Sequence, residues 1–511
     1  MTLPAAGAAL PRLSAATLAA ALPRDGVTGP PPGDLGARIG VLHLGIGAFH
    51  RAHQAVYTED AAAAAGDGGW GVCGVTQRSP DVADRLLPQD CRYGVLQRGH
   101  GTASLRVVGQ VGDVLHPARD GDRLAARLAD PAVRVIGLTV TEKGYRRGPD
   151  GRLDLADPAV AADLATAGPP DVRAPFGSGD VPRSAVGLLA RGLAHRAAVS
   201  GAPVTVLTCD NLTDNGPVLR GLVADFCAAL PAARGEPLAA WIAAHVTFPA
   251  TMVDRIVPAT TDADRAQAAA LLGLRDDALV VAEPFRQWVV QDAFAAGRPR
   301  WELAGAQLVP DVAPYEQLKL RLLNGTHSLL AYLGALAGHG TIAEAVADPD
   351  LADAAEALLA DAAATLDPPP GVDVAAYGRS VLDRFADPAL RHRTTQIAMD
   401  GSQKLPPRLL GTIRDARAAG TLPRGVIRAV AGWMAYVTLG ADVAGRPLPL
   451  DDPLADRLRS AVAGAGDAAA VADALLAVRA VFPAGLADDV PFRECLVHEL
   501  GELLARSPSR R

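Results

Sequence analysis

The stretch that decides the fold is Ile39–Leu44 (IGVLHL), which continues through Gly45-Ile46-Gly47 into the helical pattern AFHRAHQAVYTED. A short apolar run that stops at a glycine turn and continues as a helix is typical of the start of a parallel βαβ unit. Backbone N–H groups of such a turn can approach a pyrophosphate because glycines carry no side chain. The third small residue of the usual fingerprint is replaced by His50, so a simple tight turn would also explain the pattern.

Further apolar runs indicate that the sheet extends beyond this unit. They are Trp70–Gln77, Leu105–Leu115, Val133–Val140 and Val204–Cys209. After them the chain changes to long Ala- and Leu-rich segments with a helical period. The sequence therefore predicts an α/β N-terminal domain with a Rossmann-like, doubly wound sheet over residues 1–308, followed by an all-α domain over residues 309–511.

The composition excludes several classes of function. The 511 residues include 49 Lys and Arg against 56 Asp and Glu, a net charge of −7, so we expect no nucleic-acid partner. The five cysteines form no CxxC pair, which argues against a zinc ribbon and favours a reducing compartment. Met1–Asp25 lacks the pattern of a signal peptide, and no apolar run is long enough to span a bilayer. We expect a cytoplasmic protein without a membrane partner.

Lysine is rare in this chain, which carries nearly all of its positive charge as arginine. The three lysines are Lys143, Lys319 and Lys404. Arginine stays protonated in proteins, whereas a desolvated ammonium group can lose its proton. The lysines are therefore candidates for proton transfer, although chance alone would explain any one of them.

The densest set of candidate catalytic residues lies in Tyr315–His327 (YEQLKLRLLNGTH). Lys319 lies among leucines, where burial would favour the neutral amine that can accept a proton. Lys319 and Asn324 are about 140° apart on an ideal helix, so they can share a ligand only across a cleft or a distorted turn. The Asn-Gly pair is a suitable place for such a distortion, and His327 lies three residues beyond Asn324. A snorkelling lysine and a core histidine explain the same residues equally well.

Polar residues also follow the apolar run that begins at Val204 (VTVLTCDN). Asp210 and Asn211 fall at the carboxyl end of a predicted strand, where open α/β sheets bind ligands. Alternatively, both residues cap a helix that begins near Asn215. Asp254 lies in the apolar segment FPATMVDRIVP, and a buried charge must be paired, so a structural ion pair explains it as well as a substrate contact.

The residues after the second strand bear on the choice of cofactor. An acidic side chain that binds the ribose hydroxyls of NAD is expected there, but the sequence is Thr76-Gln77-Arg78. An arginine at this place could accept the 2′-phosphate of NADP. NADP(H) is therefore not excluded.

Six segments taken together make the sequence resemble the polyol-specific long-chain dehydrogenase/reductase family, the group of mannitol 2-dehydrogenases and fructuronate reductases. The resemblance runs from about Ile39 to near the C-terminus. All three lysines fall in segments that match family motifs, Lys143 and Lys319 in two of these six and Lys404 in the further stretch Arg391–Leu410. The six segments are HLGIGAFHRAHQAVYTED from His43, LTVTEKGY from Leu138, TCDNL from Thr208, FPATMVDRIVPATT from Phe248, EPFRQWV from Glu283 and YEQLKLRLLNGTHSLLAYLG from Tyr315.

The resemblance implies hydride transfer between NAD(H) and a secondary alcohol carbon, without a metal. It implies a helical C-terminal domain like that of 6-phosphogluconate dehydrogenase and a cleft between the two domains. By motif, Lys319 is the general acid/base, and Asn211 and Asn324 hydrogen-bond the substrate oxygen, a chemistry that needs no zinc. The implied dinucleotide contacts are Gly45, Ile46, Gly47, Ala48 and Phe49. The implied substrate contacts are His327, Asp254, Lys404 and Arg393.

The substrate within the family depends on Arg391–Leu410 (RHRTTQIAMDGSQKLPPRLL), which looks more like fructuronate reductases than like mannitol 2-dehydrogenases. A uronate carries a carboxylate that Lys404 and Arg393 could bind, and Lys143 points the same way. Exposed helix charges would produce the same cluster.

We therefore expect an NAD(H)-dependent reductase of fructuronate to mannonate that acts on a small molecule as a monomer or small homo-oligomer. The alternatives are a mannitol 2-dehydrogenase, a nucleotide-sensing protein that has lost catalysis, and a zinc-dependent alcohol dehydrogenase.

Overall fold

The computed structural model describes residues 10–99, 101–148, 150–166 and 181–506. The chain divides into two compact units, of which the first ends at Val312 and the second begins at Ala313. The segment Met1–Asp25 and both predicted domain ranges include residues outside the described ones. Within the described part of that segment, a helix covers Ala15–Ala21. Ser14 caps its N-terminus, because the Ser14 side chain accepts a hydrogen bond from the backbone of Thr17.

The first unit is built on a parallel sheet of six strands. In chain order its strands are Ile39–Leu44, Gly71–Val75, Val111–Leu115, Val135–Leu138, Val204–Thr208 and Val246–Thr247. Along the sheet they follow the order third, second, first, fourth, fifth and sixth, and every neighbouring pair is parallel. This is the strand order of a dinucleotide-binding doubly wound sheet, as the sequence predicts.

The central strand is buried along its whole length because helices and smaller sheets cover the sheet. Leu42 and Leu44 pack on one side with the helices Pro117–Ala129 and Ala185–Val199, while Val41 packs on the other side with Gln54–Ala65. Burial on both faces explains why the strands are continuous apolar runs in the sequence. The other helices of this unit are Ala48–Ala52, Asp81–Leu86, Pro158–Thr166, Asn215–Ala229, Ala232–His245 and Asp262–Leu272.

Two smaller sheets complete the first unit. One contains Val27–Thr28, Thr102–Val108, Tyr93–Gly99 and Val280–Ala282, and the other contains Thr251–Asp254, Gln287–Gln291 and Gln307–Val309. The predicted β stretch Leu105–Leu115 is therefore not one element. It is divided at Gly109-Gln110 between a small sheet and the six-stranded sheet.

The described residues of the second unit form helices and loops without an extended strand, as the predicted all-α domain requires. Its core surrounds the helix Arg424–Leu439, which packs on Gly325–Ala337, Pro349–Ala363 and Val490–Ala505. The approach to Pro349–Ala363 is close, since a Cβ on Gly425 would lie 2.5 Å from the backbone nitrogen of Leu358. The other helices are Ala313–Leu318, Ile342–Ala347, Val374–Phe385, Thr394–Ile397, Gly401–Leu405, Gly411–Ala418, Ala455–Val462, Ala468–Leu476 and Ala484–Ala487.

Candidate active site

The glycine turn lines a cavity of about 1120 Å³ in the first unit. Its walls include the segments that follow the first four strands of the six-stranded sheet. These segments are Gly45–Gly47, Thr76–Ser79, the start of the helix Pro117–Ala129, and Thr139–Thr141. All of them lie at the carboxyl ends of parallel strands, where open α/β sheets bind their ligands.

Gly45 and Gly47 serve different purposes in this turn. Gly45 has a φ of +92°, and a Cβ there would lie 2.0 Å from the carbonyl oxygen of Thr139. No residue with a side chain fits that position. At Gly47, which precedes the helix Ala48–Ala52, the nearest atom to a Cβ would be 3.9 Å away, so the backbone is open. A pyrophosphate can approach such a backbone, and the residues present therefore fit a dinucleotide.

The remaining predicted dinucleotide contacts lie beside this turn. Ile46 lines the cavity, whereas Ala48 and Phe49 form the first turn of the following helix. The ring of Phe49 stacks on the ring of His53 with centroids 5.0 Å apart. Ala48 and Phe49 thus back the turn instead of forming the cavity wall.

A buried pair of histidines lies beneath the turn. The rings of His43 and His50 stack with centroids 3.5 Å apart, and Nε2 of His43 lies 2.9 Å from the Thr139 hydroxyl. That hydroxyl donates a hydrogen bond of 2.6 Å to the carbonyl of Gly45. Burial lowers the pKa of His50 to about 3 and that of His43 well below its usual value. Both rings are therefore neutral near pH 7.

The loop after the second strand lines the cavity with Thr76, Gln77 and Arg78, and it contributes no carboxylate. The aspartates among the described lining residues are Asp120 and Asp122 of the helix Pro117–Ala129. Asp120 is already hydrogen-bonded to Arg123 and to the backbone of His116. An arginine thus occupies the place where NAD-specific sites have an acid.

In the second unit, Lys319 and Asn324 are the first and last residues of a π-helix, Lys319–Asn324. Hydrogen bonds of a π-helix join residues five apart, so these two residues are separated by about one turn. The structure thus contains a distorted turn, which is one of the two arrangements in which the sequence allows the two side chains to share a ligand. Lys319 is buried at 6% exposure, while Asn324 is half-buried. Short π-helical segments inside α-helices frequently mark functional sites.

A second π-helix, Pro406–Leu410, follows Lys404 and packs against the first. The packing is close because Gly325 has no side chain, and a Cβ there would lie 3.4 Å from the carbonyl oxygen of Arg408. The guanidinium of Arg408 donates a 3.2 Å hydrogen bond to the hydroxyl of Ser328. The two irregular segments therefore place Lys319, Asn324 and Arg408 in one part of this unit.

His327 lies one turn beyond Asn324, at 9% exposure. Its ring stacks on Phe385 and on His392, with centroids 4.6 Å and 5.4 Å away. Its Nε2 atom has no hydrogen-bond partner among the described residues. Burial lowers the pKa of His327 well below its usual value, and nearby positive charge lowers it further. The basic groups nearby are His392, Arg408, Lys404 and Arg384, of which His392 is itself neutral near pH 7 because burial lowers its pKa to about 4.

The two predicted carboxylate-binding residues differ in burial. Lys404 is half-buried and donates a 3.2 Å hydrogen bond to the carbonyl of Ile397. Arg393 is exposed and precedes the short helix Thr394–Ile397. Arg384, which no sequence motif singles out, is 7% exposed and belongs to the basic surroundings of His327. Neither Arg384 nor Phe385 stands out in sequence, because both end an ordinary amphipathic helix, Val374–Phe385.

Asp210 and Asn211 follow the fifth strand of the six-stranded sheet, as predicted. The alternative that they cap the next helix is wrong, because the residue before Asn215–Ala229 is Asp214, whose side chain makes no capping hydrogen bond. Asp210 instead accepts hydrogen bonds from the loop that follows the fourth strand. Asn211 beside it is exposed, whereas Asp254 is buried at the end of Thr251–Asp254, opposite Gln287.

Within the described ranges, no three His, Cys, Asp or Glu side chains are placed to hold a metal ion. The five cysteines are all buried and unpaired. In the same part of the chain, no helix combines the length and the apolar character needed to cross a bilayer.

Comparison with known proteins assigns both units. The mannitol dehydrogenase Rossmann domain matches residues 39–303, and the mannitol dehydrogenase C-terminal domain matches residues 311–504. Two relatives from Escherichia coli K12 are each 42% identical to this chain. The uncharacterized oxidoreductase YeiQ aligns over 461 residues, 89% of this chain and 90% of its own length. D-mannonate oxidoreductase aligns over 457 residues, 88% of this chain and 89% of its own length.

A solved structure supports the same assignment. Pseudomonas fluorescens mannitol 2-dehydrogenase, in a ternary complex with NAD and D-mannitol, superposes with a TM-score of 0.83 at 34% identity over 96% of both chains. The chain therefore belongs to the mannitol dehydrogenase family of oxidoreductases, as its sequence motifs predict.

Proposed function

We propose that this protein is a cytoplasmic, metal-independent, NAD(H)-dependent oxidoreductase that interconverts fructuronate and mannonate. The similarity to D-mannonate oxidoreductase supports a sugar acid as substrate. The observation that carries the proposal is the set of basic side chains around His327, whose Nε2 atom has no partner among the described residues.

Those basic side chains favour an anionic substrate. The groups that shift the pKa of His327 are all basic, and Arg384 among them is almost completely buried. Charge-assisted hydrogen bonds from such groups to a carboxylate are about twice as strong as neutral ones. A neutral polyol such as mannitol carries no carboxylate that could accept such bonds. The cluster therefore supports a uronate over a ketohexose.

The proposed chemistry uses Lys319 as the acid/base group. In the oxidation of mannonate, the neutral amine of Lys319 accepts the proton of the reacting hydroxyl, and in the reverse direction the ammonium returns it. The amides of Asn324 and Asn211 donate hydrogen bonds to the substrate oxygen as negative charge develops on it. His327 orients the sugar through Nε2, while Lys404 and Arg393 bind the carboxylate and Asp254 a hydroxyl. When bound, the nicotinamide supplies the hydride donor or acceptor.

The cavity of the first unit would hold the dinucleotide. Gly45 gives the turn its shape and Gly47 leaves its backbone open, with Ile46 in the wall and Ala48 and Phe49 behind it. The related mannitol 2-dehydrogenase, solved with NAD, supports NAD(H). Arg78 in the cavity wall supports NADP(H) as the second candidate, because its guanidinium could bind a 2′-phosphate.

A substrate and cofactor panel tests the proposal. Purified protein is assayed for oxidation of NADH and of NADPH with fructuronate and with fructose. We expect kcat/KM to be roughly 100-fold higher for fructuronate, because a site built to bind a carboxylate discriminates against a substrate that lacks it. A preference for fructose would overturn the proposal and identify a mannitol 2-dehydrogenase, the function favoured by the similarity to the Pseudomonas enzyme.

The same NADH oxidation assay, extended by a binding measurement and a chelator treatment, distinguishes two further alternatives from the proposed function. A nucleotide-sensing protein would bind NADH but turn over no ketose or ketouronate. A zinc-dependent alcohol dehydrogenase would lose activity after incubation with a chelator, whereas we expect full activity to remain. Loss of turnover on chelation, restored by zinc, would contradict the metal-independent mechanism.

A further inference from the structure

The loop after the fourth strand of the six-stranded sheet contains an unusual backbone. Thr141 has a φ of +69° and a ψ of 157°, a combination that is essentially confined to glycine. Threonine is branched at Cβ, so this conformation is costly and persists only when its surroundings impose it. Thr139, Val140 and Thr141 all line the cavity that we assign to the dinucleotide. The strain therefore lies in a wall of the proposed binding site.

The carboxylate of Asp210 holds this backbone from the neighbouring strand. One oxygen accepts the N–H of Thr141 at 2.9 Å, and the other accepts the N–H of Val140 at 3.0 Å. The hydroxyl of Tyr145 donates a 2.6 Å hydrogen bond to the second oxygen. Both carboxylate oxygens are thus bonded to the segment Val140–Tyr145. This arrangement fixes two successive amides at once, which a single hydrogen bond could not do.

Asp210 is itself fixed in place. Its carbonyl oxygen accepts hydrogen bonds from the backbone of Leu212 at 2.9 Å and from the side-chain amide of Asn215 at 3.1 Å. The same amide also bonds to the carbonyl of Thr251 at 2.9 Å. These hydrogen bonds hold the backbone of Asp210 in place, just after the strand Val204–Thr208.

We propose that Asp210 is a positioning residue for dinucleotide binding, because its carboxylate binds the N–H groups of Val140 and Thr141 and so imposes the strained conformation of Thr141 in the cavity wall next to the glycine turn. The connection to the turn is direct, since the Thr139 hydroxyl donates to the carbonyl of Gly45 at 2.6 Å. Release of the loop would move Thr139 and loosen the turn. The inference rests on the proposed function only in assigning the cavity to a nicotinamide dinucleotide.

The first test is Asp210→Asn, which keeps the shape of the side chain. The amide nitrogen of asparagine cannot accept a hydrogen bond, so one of the two loop N–H groups loses its acceptor. We expect the Kd for NADH, measured by fluorescence without substrate, to rise roughly 10- to 100-fold. Hydrogen exchange of the peptide that contains Val140 and Thr141 should become faster.

A second change at Thr141 separates positioning from general stability. Glycine adopts the observed conformation without strain, so Thr141→Gly in the Asp210→Asn background should return the Kd to within roughly threefold of wild type. Thr141→Ala in the same background is the matched control, because it removes the side chain but keeps the backbone penalty. We expect no recovery there.

Other outcomes would overturn the inference. Wild-type affinity in Asp210→Asn would show that the carboxylate is not needed, and equal recovery with glycine and alanine would show that backbone strain is not involved. If Asp210→Asn does not fold, Tyr145→Phe is tested instead, because it removes one hydrogen bond to the carboxylate. This variant should weaken NADH binding several-fold, and Thr141→Gly added to it should restore binding. Unchanged NADH binding in Tyr145→Phe would refute the inference. In every variant that folds, the ratio of kcat/KM for fructuronate to that for fructose should not change. Failure of the inference about Asp210 would therefore leave the substrate proposal untouched.

Discussion

The two units hold their candidate residues in different ways. In the first unit the glycine turn and a strained loop depend on their backbone conformation, and both lie at the ends of parallel strands. In the second unit the candidate groups are side chains, and the two catalytic candidates lie at the ends of a π-helix, Lys319–Asn324. A backbone site tolerates few residue types but is easily recognised from spacing, whereas a side-chain site on a distorted helix escapes the spacing rules of a regular helix.

The largest effect is expected at Lys319, in the side-chain site. Lys319→Ala should lower kcat roughly 10²- to 10⁴-fold, the usual contribution of a general acid/base, while the Kd for NADH stays near the wild-type value. Lys319→Arg keeps the positive charge but cannot release a proton, so its loss should be similar. Steady-state kinetics and NADH fluorescence measure the two quantities. Weaker NADH binding in proportion to the loss of kcat would instead make Lys319 a structural or nucleotide contact.

The backbone site should respond to glycine substitutions. Gly45→Ala forces a Cβ against the carbonyl of Thr139 and requires an unfavourable φ, so we expect the free energy of unfolding to fall by about 2–4 kcal/mol. Gly47→Ala has room for its methyl group and should leave stability almost unchanged while weakening NADH binding. Chemical denaturation compares the two variants. Equal destabilisation would contradict the different purposes that we assign to the two glycines.

Substrate choice should depend on Lys404. Lys404→Met should lower kcat/KM for fructuronate roughly 10- to 100-fold by removing a charge-assisted hydrogen bond, with less than about a threefold effect on fructose. Arg393→Met is the comparison variant, and because Arg393 is exposed we expect a smaller loss there. An equal loss with both sugars in Lys404→Met would remove the carboxylate-binding role of this lysine.

The smallest effect is expected in the pH dependence of thermal stability. Each unit contains a stacked pair of histidines that responds to pH. Burial lowers the pKa of His50 in the first unit to about 3 and that of His392 in the second to about 4, from a usual value of 6.5. The folded state then binds fewer protons than the unfolded state, so stability is complete above pH 6.5 and is lost as the pH falls toward these values. Tm should therefore decrease from about pH 7 to about pH 4.5, and His50→Gln should flatten that dependence more than His392→Gln. A Tm that is constant over this range would contradict the claim that these buried histidines are neutral in the folded protein.

Most of the first unit could be predicted because its signals are local. Ile39–Leu44 and the glycine turn are adjacent in sequence, and burial on both faces makes the strand a continuous apolar run. The division of Leu105–Leu115 could not be predicted, because both halves are equally apolar and only the pairing partners differ. Asp210 was open to a capping interpretation since its partners, Val140 and Thr141, are about 70 positions away.

In the second unit the residues could be predicted but not their arrangement. On a regular helix Lys319 and Asn324 point in different directions, and nothing in the leucine-rich spacing shows that this turn is π-helical. The basic surroundings of His327 come from segments that are distant in sequence. The sequence therefore does not single out Arg384, and it favours Arg393, which the structure leaves exposed.

Chemical rescue tests the central claim most directly, namely that Lys319 transfers the substrate proton. The Lys319→Ala protein is supplied with fructuronate, NADH and increasing methylamine, and tetramethylammonium serves as a control that matches the charge but exchanges no proton. The account predicts that NADH oxidation increases with methylamine and does not respond to tetramethylammonium. Equal responses to both cations, or no increase with methylamine in a variant that still binds NADH, would contradict it.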